Sequence, residues 1–251
     1  LRYNLADKQR AEVMVFFGRK DTSSDMASWL SFTDATVDTV GASPRYVSEN
    51  RLAGHDNTLI AGVDYCIDML RCDRYADDAR NTQTVAAAID KTTLGFYARD
   101  VFELAEHLLL SAGARAESAE FAGDGSSGGM DLFNDQTKYS ATAFDGSLVQ
   151  TFDNRSKVFL RGGTVYRYPF VDEQISYSGY GMDQFYSELD PETGWSAELG
   201  GQVGLGKEVT AGLTLFRIDM KDEIAWNTTE QRNENLDQTS RQGVEMNAAY
   251  R

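Results

Sequence analysis

The sequence predicts an all-β fold, an antiparallel transmembrane β-barrel segment of about ten strands, each near the length that crosses a bilayer at a tilt. Three observations carry that reading. Apolar residues recur at every second position in segment after segment, the period of a pleated strand with two unlike faces. Long and short connections take turns along the chain, so the strands have two kinds of end. Charged residues also break every apolar stretch well before the ~18 residues that a membrane-spanning helix requires, which leaves strands as the crossing element.

Taken in order, irregular strands are expected at about 9 to 18 and 36 to 48, and the first clear one runs from Asn57 to Met69. There Leu59, Ala61, Val63, Tyr65, Ile67 and Met69 oppose Thr58, Ile60, Gly62, Asp64, Cys66 and Asp68. A strand at 91 to 103 follows, in which Leu94, Phe96 and Ala98 alternate with Thr93, Gly95, Tyr97 and Arg99. Leu108 to Glu117 sorts Leu108, Leu110, Ala112, Ala114 and Ala116 against Ser111, Gly113, Arg115 and Glu117. After strands at 136 to 149 and 157 to 168, Trp195 to Leu205 sets Trp195, Ala197, Leu199, Val203 and Leu205 against Ser196, Glu198, Gly200, Gln202 and Gly204. A strand at 209 to 226 has a phase slip at Leu215 to Phe216, where a bulge is expected. Arg241 to Tyr250 closes the series with Val244, Met246, Ala248 and Tyr250 opposed to Arg241, Gly243, Glu245 and Asn247. Helix-favouring Ala, Leu and Glu around Val85 to Ile89 and Val101 to Leu110 admit a helical alternative, which the alternation at 93 to 99 outweighs.

The connections at 19 to 35, 70 to 90, 119 to 135, 169 to 193 and 227 to 239 read as long, and those at 49 to 56, 104 to 107, 150 to 156 and 206 to 208 as short. Outer-membrane barrels have tight turns on one side and longer loops on the other. One row of each strand suits lipid and the other, with Arg, Glu, Gln, Gly and Ser, suits a wet interior better than the dry core of a sandwich. Tyr65, Tyr97, Phe102, Trp195 and Tyr250 fall near strand ends, where aromatic girdles form, although aromatic residues are enriched in any sheet.

Composition narrows the function classes. The 251 residues are 41% hydrophobic and 25% charged, too apolar for a disordered chain. A net charge of -15 offers no basic field for phosphates and excludes nucleic acid as a partner. Mean hydropathy is -0.43. Leu1 to Arg10 show no secretory leader, so the chain is expected to begin within a longer protein. Cys66 and Cys72 would stand roughly 20 Å apart on an extended strand, beyond disulfide reach unless the chain bends. With only His55 and His107 beside them, they match no usual zinc spacing, and no cofactor or metal is expected. Gly123 to Asp131 lacks the spacing of a calcium loop and reads as a flexible external loop. No Gly-x-Ser-x-Gly elbow or phosphate loop is present, so no enzymatic activity is expected.

Several words in the sequence resemble the barrel of TonB-dependent outer-membrane receptors. They are Tyr166-Arg167-Tyr168-Pro169, the polar stretch with Asp172-Glu173-Gln174 and Gly179-Tyr180-Gly181, and Leu189-Asp190-Pro191-Glu192-Thr193-Gly194. Asp222-Glu223-Ile224 and Gly243-Val244-Glu245 follow in the family's order, and Leu59 to Tyr65 and Thr93 to Asp100 resemble its upstream strands. The resemblance covers most of 57 to 251 and is weaker before that. It implies a 22-stranded barrel with a plugged lumen. Residues 1 to 251 would then be a partial barrel domain, with the plug domain and the C-terminal strands absent, because ~220 residues would go to strands alone.

The resemblance further implies energy-coupled uptake, through the bacterial outer membrane, of a scarce ligand: an iron-siderophore, haem, cobalamin or an oligosaccharide. The implied partners are outer-membrane lipid, the TonB complex acting through the plug, and a small-molecule or metal-chelate ligand. Tyr166, Arg167, Tyr177 and Tyr180 are the candidate ligand-binding residues, since flat rings and an Arg fork suit an aromatic or carboxylate-rich ligand. For Arg167 a role in shaping the strand end competes with ligand contact, as Pro169 marks a strand margin. Arg99, Arg115, Glu117, Glu198, Gln202 and Glu245 are expected on the lumen face, toward the plug. A passive porin and a soluble acidic all-β binding or adhesion protein are the alternatives.

Overall fold

The computed structural model describes residues 1–175, 184–206 and 208–250. Eleven strands form one antiparallel sheet in sequence order: β1 (Arg2–Ala6), β2 (Gln9–Met26), β3 (Ser31–Leu52), β4 (His55–Tyr75), β5 (Gln83–Ala105), β6 (Leu108–Ser127), β7 (Met130–Thr151), β8 (Lys157–Arg167), β9 (Glu192–Leu205), β10 (Val209–Asn227) and β11 (Arg232–Tyr250). Among the described residues β1 and β11 do not pair with each other, so the sheet is a wall and not a closed ring. Neither segment with helical composition is helix: Val85 to Ile89 lies in β5, and Val101 to Leu110 runs from the end of β5 through the turn at Glu106–His107 into β6.

Cross-strand partners share a face, so the register sorts the whole wall. Phe16, Gly41, Cys66, Thr93, Ala119 and Tyr139 form one continuous row. That row faces inward. The outward rows between the turn end and the middle of each strand are apolar: Val13, Val15 and Phe17 on β2, Leu94 and Phe96 on β5, Leu199, Val203 and Leu205 on β9, Val244 and Met246 on β11, all solvent-exposed. On β4 this belt runs from Leu59 to Met69, about 33 Å along the strand at ~3.3 Å per residue, or about 25 Å of height at a 40° tilt. That is the apolar band of a membrane barrel. Trp195 marks its upper border on β9, where outward Arg217 of β10 lies 5.9 Å from the indole.

Above the belt the strands continue, which corrects the expected loop pattern. Four of the five segments expected as long connections are mostly strand, and the remaining links there are 27–30, 76–82, 128–129 and 228–231. Only 168–191, between β8 and β9, is long. The reason is a change of phase. On β4 the inward row reads Gly62, Asp64, Cys66 and Asp68 within the belt, then Leu70 and Cys72 above it, while the outward row passes from Met69 to Arg71 and Asp73. The pleat is unbroken but the apolar side swaps, so an alternation counted along the sequence stops.

Other expectations change as well. Gly128 (φ 56°) and Gly129 (φ 82°) make a two-residue turn needing positive φ at both positions, so the Gly-rich segment is a hairpin tip and not a long flexible loop. No bulge interrupts Leu215–Phe216, whose register with β9 and β11 is continuous. Phe216 points inward across Gly243, where an added Cβ would meet its ring at 2.8 Å. Tyr97 also faces inward, opposite Gly62 and Arg115, and does not belong to an outer girdle. Cys66 and Cys72 lie on the same straight strand and form no disulfide.

Candidate functional site

The inward face of the belt is a polar network, as its residue types require when water and not lipid fills the interior. Arg115 is its hub. The guanidinium donates to Asp64 at 2.5 Å, to Glu117, and to the Tyr166 hydroxyl at 3.1 Å, and lies 5.8 Å from the Tyr97 ring. Nearby, Arg99 donates to Ser111 at 3.1 Å and sits 3.4 Å from Asp145, while Ser111 and Ser147 share a hydrogen bond of 2.7 Å. Around β8 and β9, Glu198 accepts two bonds from Arg161, at 2.8 and 2.5 Å, and Gln202 donates to the Arg155 carbonyl at 3.3 Å. Glu245 joins Arg99 and Glu198 in lining a cavity of 590 Å³. The register thus places all six lumen candidates on one face, but in separate groups: Arg115 with Glu117, Glu198 with Arg161, and Gln202 on the turn side.

Toward the tips the interior changes character. The β7–β8 ladder ends at Asp145–Gly163, and beyond it the end of β8 turns inward. Tyr166 accordingly reaches Arg115 on β6, and Tyr168 stacks on Tyr139 at 6.1 Å. The Tyr168 hydroxyl donates to the Glu117 carbonyl at 2.9 Å, and burial pushes its pKa up. Further along the connection, Phe185 stacks on Phe133 at 6.3 Å, and the Tyr139 hydroxyl donates to the Leu189 carbonyl at 2.6 Å. With Leu70, Val85, Ile89 and Phe121, these residues make the buried cluster of the molecule. The described parts of 168–191 therefore fold into the lumen and cover the inner wall of β4 to β7.

Arg167 anchors the root of this connection. Its fork binds Glu173 at 2.7 and 3.1 Å and Glu192 at 2.5 Å, and its guanidinium lies 4.6 Å from the Phe170 ring. Burial works against its charge, but the two carboxylates outweigh burial and raise its pKa. Glu192 is likewise disfavoured by burial, yet the bonds from Arg167 and from the Ile224 N–H hold its carboxyl below the usual range. Both carboxylate-binding edges of Arg167 are therefore in use. Tyr177 and Tyr180 lie outside the described residues.

Sequence reasoning missed Lys91. It lies on the inward row of β5 above the belt, 5.3 Å from the Phe121 ring and 5.9 Å from the Tyr168 ring, with its ammonium donating to the Pro169 carbonyl at 3.4 Å. The signal was available: Lys91 is the one cation in the inward series Val85, Ala87, Ile89, Lys91. The Gln174 side chain is fully buried in the connection, with neither amide atom hydrogen-bonded. Among the described residues no group of three His, Cys, Asp or Glu side chains is arranged to hold a metal ion.

A sheet with a 25 Å apolar belt outside, a polar network inside and one long connection folded into the interior has the build of part of a transmembrane β-barrel wall. The family model for the TonB dependent receptor-like β-barrel matches residues 1–251. The chain belongs to that family, a family of bacterial outer-membrane transport receptors. The same sheet recurs in the ferric-catecholate import receptor Fiu of E. coli K12, with a TM-score of 0.74 and 12% identity over 99% of this chain and 43% of that one. The copper transporter OprC gives 0.75 and 16% over 100% and 42%, and the Serratia marcescens hemophore receptor HasR gives 0.71 and 15% over 98% and 47%. This chain spans less than half the length of each. No curated protein matches the sequence.

Proposed function

We propose that this chain is the wall of a receptor that carries a scarce ligand across the outer membrane at the expense of energy supplied through TonB. A plug domain and further strands outside residues 1–251 would complete it. The observation that carries this reading is the connection folded into the interior, packed on an apolar cluster above a polar inner belt, in a chain that the family model matches end to end. A lumen narrowed in this way suits a plugged, ligand-specific barrel better than an open passive pore.

Within it, the inward row with Arg99, Arg115, Glu117, Glu198, Gln202 and Glu245 would face the plug. Tyr166, Arg167, Tyr177 and Tyr180 would form the ligand-side rim, with Arg167 holding the root of the connection. Iron-siderophores, haem, cobalamin and oligosaccharides remain the ligand classes, bound and passed on without catalysis. The test is uptake of radiolabelled ferric chelates, haem and cobalamin by cells carrying the full-length gene or its deletion. Uptake by the receptor should stop when TonB is removed or the proton-motive force is collapsed. Uptake that persists without energy would identify a passive pore and refute the reading.

A further inference from the structure

The chain's negative charge is not spread evenly along the wall. The tip-ward segments 18–39, 70–92, 118–141, 165–175, 184–194 and 217–241 contain 23 Asp and Glu against 12 Lys and Arg, whereas the rest of the chain holds 16 against 12. Most of the net -15 thus stands on the side of the belt away from the short turns.

Seven of the eight arginines within that half are already paired with carboxylates, while Arg74 donates to the Thr84 hydroxyl and Lys20, Lys138 and Lys221 hold no carboxylate within 3.0 Å among the described residues. Arg19, Arg71, Arg80, Arg167, Arg217, Arg232 and Arg241 each hold a carboxylate within 3.0 Å, and Arg80 and Arg167 hold two apiece. Lys91 is enclosed by Phe121, Tyr168 and the Pro169 carbonyl. At every guanidinium of that half except Arg74 an incoming anion would have to break an existing pair, and it would approach against the field of the remaining carboxylates. For a cation the same field is attractive.

We propose that the tip-ward half of the wall is an electrostatic filter, which concentrates ligands of net positive charge and turns away anionic metal chelates. The proposal rests on the uptake reading and narrows its substrate class. Of the candidate ligands, it selects those without net negative charge.

The field can be measured apart from transport. In the full-length receptor with Cys66→Ser and Cys72→Ala, a fluorine label is attached at Met130→Cys, in a tip, or at Leu52→Cys, at the turn end; both native side chains are exposed. Paramagnetic relaxation of each label by a cationic and by an anionic nitroxide then reports the local potential. A potential of one kT, acting in opposite senses on the two probes, gives a cation-to-anion ratio of about sevenfold at the tip. The ratio should stay near one at the turn end, and the tip value should collapse in ~0.5 M salt. Changing Asp124, Asp131 and Asp135 to Asn should lower the tip ratio. Equal ratios at the two ends, or an anion preference at the tip, would overturn the proposal.

Uptake is read separately with two ferric trihydroxamates that differ only in a terminal ammonium or carboxylate group. Faster uptake of the ammonium form supports the filter, and equal or faster uptake of the carboxylate form overturns it. Uptake of neither counts against iron chelates as the cargo, and the relaxation ratio still decides the charge question.

Discussion

The belt and the tip-ward half are built from the same strands in one unbroken register, yet they are inside out relative to each other. In the belt, Leu59, Val63 and Met69 of β4 face outward and Asp64 and Asp68 inward; above it, Arg71 and Asp73 face outward and Leu70 and Cys72 inward. The pleat decides only that neighbouring side chains part company. What lies on each side decides which row is apolar. Lipid outside and water inside select one phase, and water outside with a covering connection inside selects the other. The phase reversal therefore marks the height at which the wall leaves the membrane.

The largest test of that contrast lies in the tip-ward core. Phe121 is fully buried there, edge-on to Tyr139 at 5.7 Å. Truncation, Phe121→Ala, should cost about 3–5 kcal/mol, as for other buried aromatic residues. Denaturant unfolding of the full-length receptor in detergent should show the loss, and proteolysis should begin in the 168–191 connection. A smaller effect is expected from a charge placed outward in the belt. Val63→Lys or Leu199→Lys should cost about 2–4 kcal/mol of insertion free energy, whereas Ser196→Lys, on the inward row, should be tolerated. Folding yield into lipid vesicles measures this, and equal tolerance at all three positions would end the membrane assignment.

Finer changes probe how the connection and the tips are held. Tyr139→Phe removes the hydroxyl that binds the Leu189 and Ser187 carbonyls. It should destabilise the connection by about 1 kcal/mol, seen as faster hydrogen exchange within 184–191 and little change in the belt. The smallest effect concerns the tip latch in which Arg80 joins Asp25 at 2.7 Å and Asp34 at 3.0 Å. Hydrogen bonds from Arg80 and Ser23 hold the Asp34 carboxyl below its usual range. Because the folded value lies below the unfolded value of ~3.9, the latch contributes fully above about pH 4 and is lost as pH falls through the lowered value. Protease nicking within 76–82 should rise over that acid range, and Arg80→Gln should remove the pH step.

Much of this wall was legible one strand at a time. The outward series on β4, β6, β9 and β11 was visible from the alternation alone, and Arg99, Arg115, Glu117, Glu198, Gln202 and Glu245 were assigned from it to the face the register gives them. The tips were not legible. A counted alternation fails where the apolar row changes sides, so segments that are mostly strand read as long loop at 70 to 90 and 119 to 135. For Arg167, the fork was readable as a residue type, but its engagement was not. Glu173 and Glu192 lie 6 and 25 residues away in sequence, and only the fold brings both to one guanidinium.

By itself, then, the sequence determined the element type, the sorting of side chains between two faces, and the chemistry of the lipid-facing belt, because each is set by neighbours two residues apart on a pleated chain. Tertiary structure alone decided how far the strands extend beyond the membrane, that the β8–β9 connection folds inward, and that nearly every tip-ward arginine is matched by a carboxylate. Those outcomes depend on what stands across the sheet or across the lumen, and no local period records it.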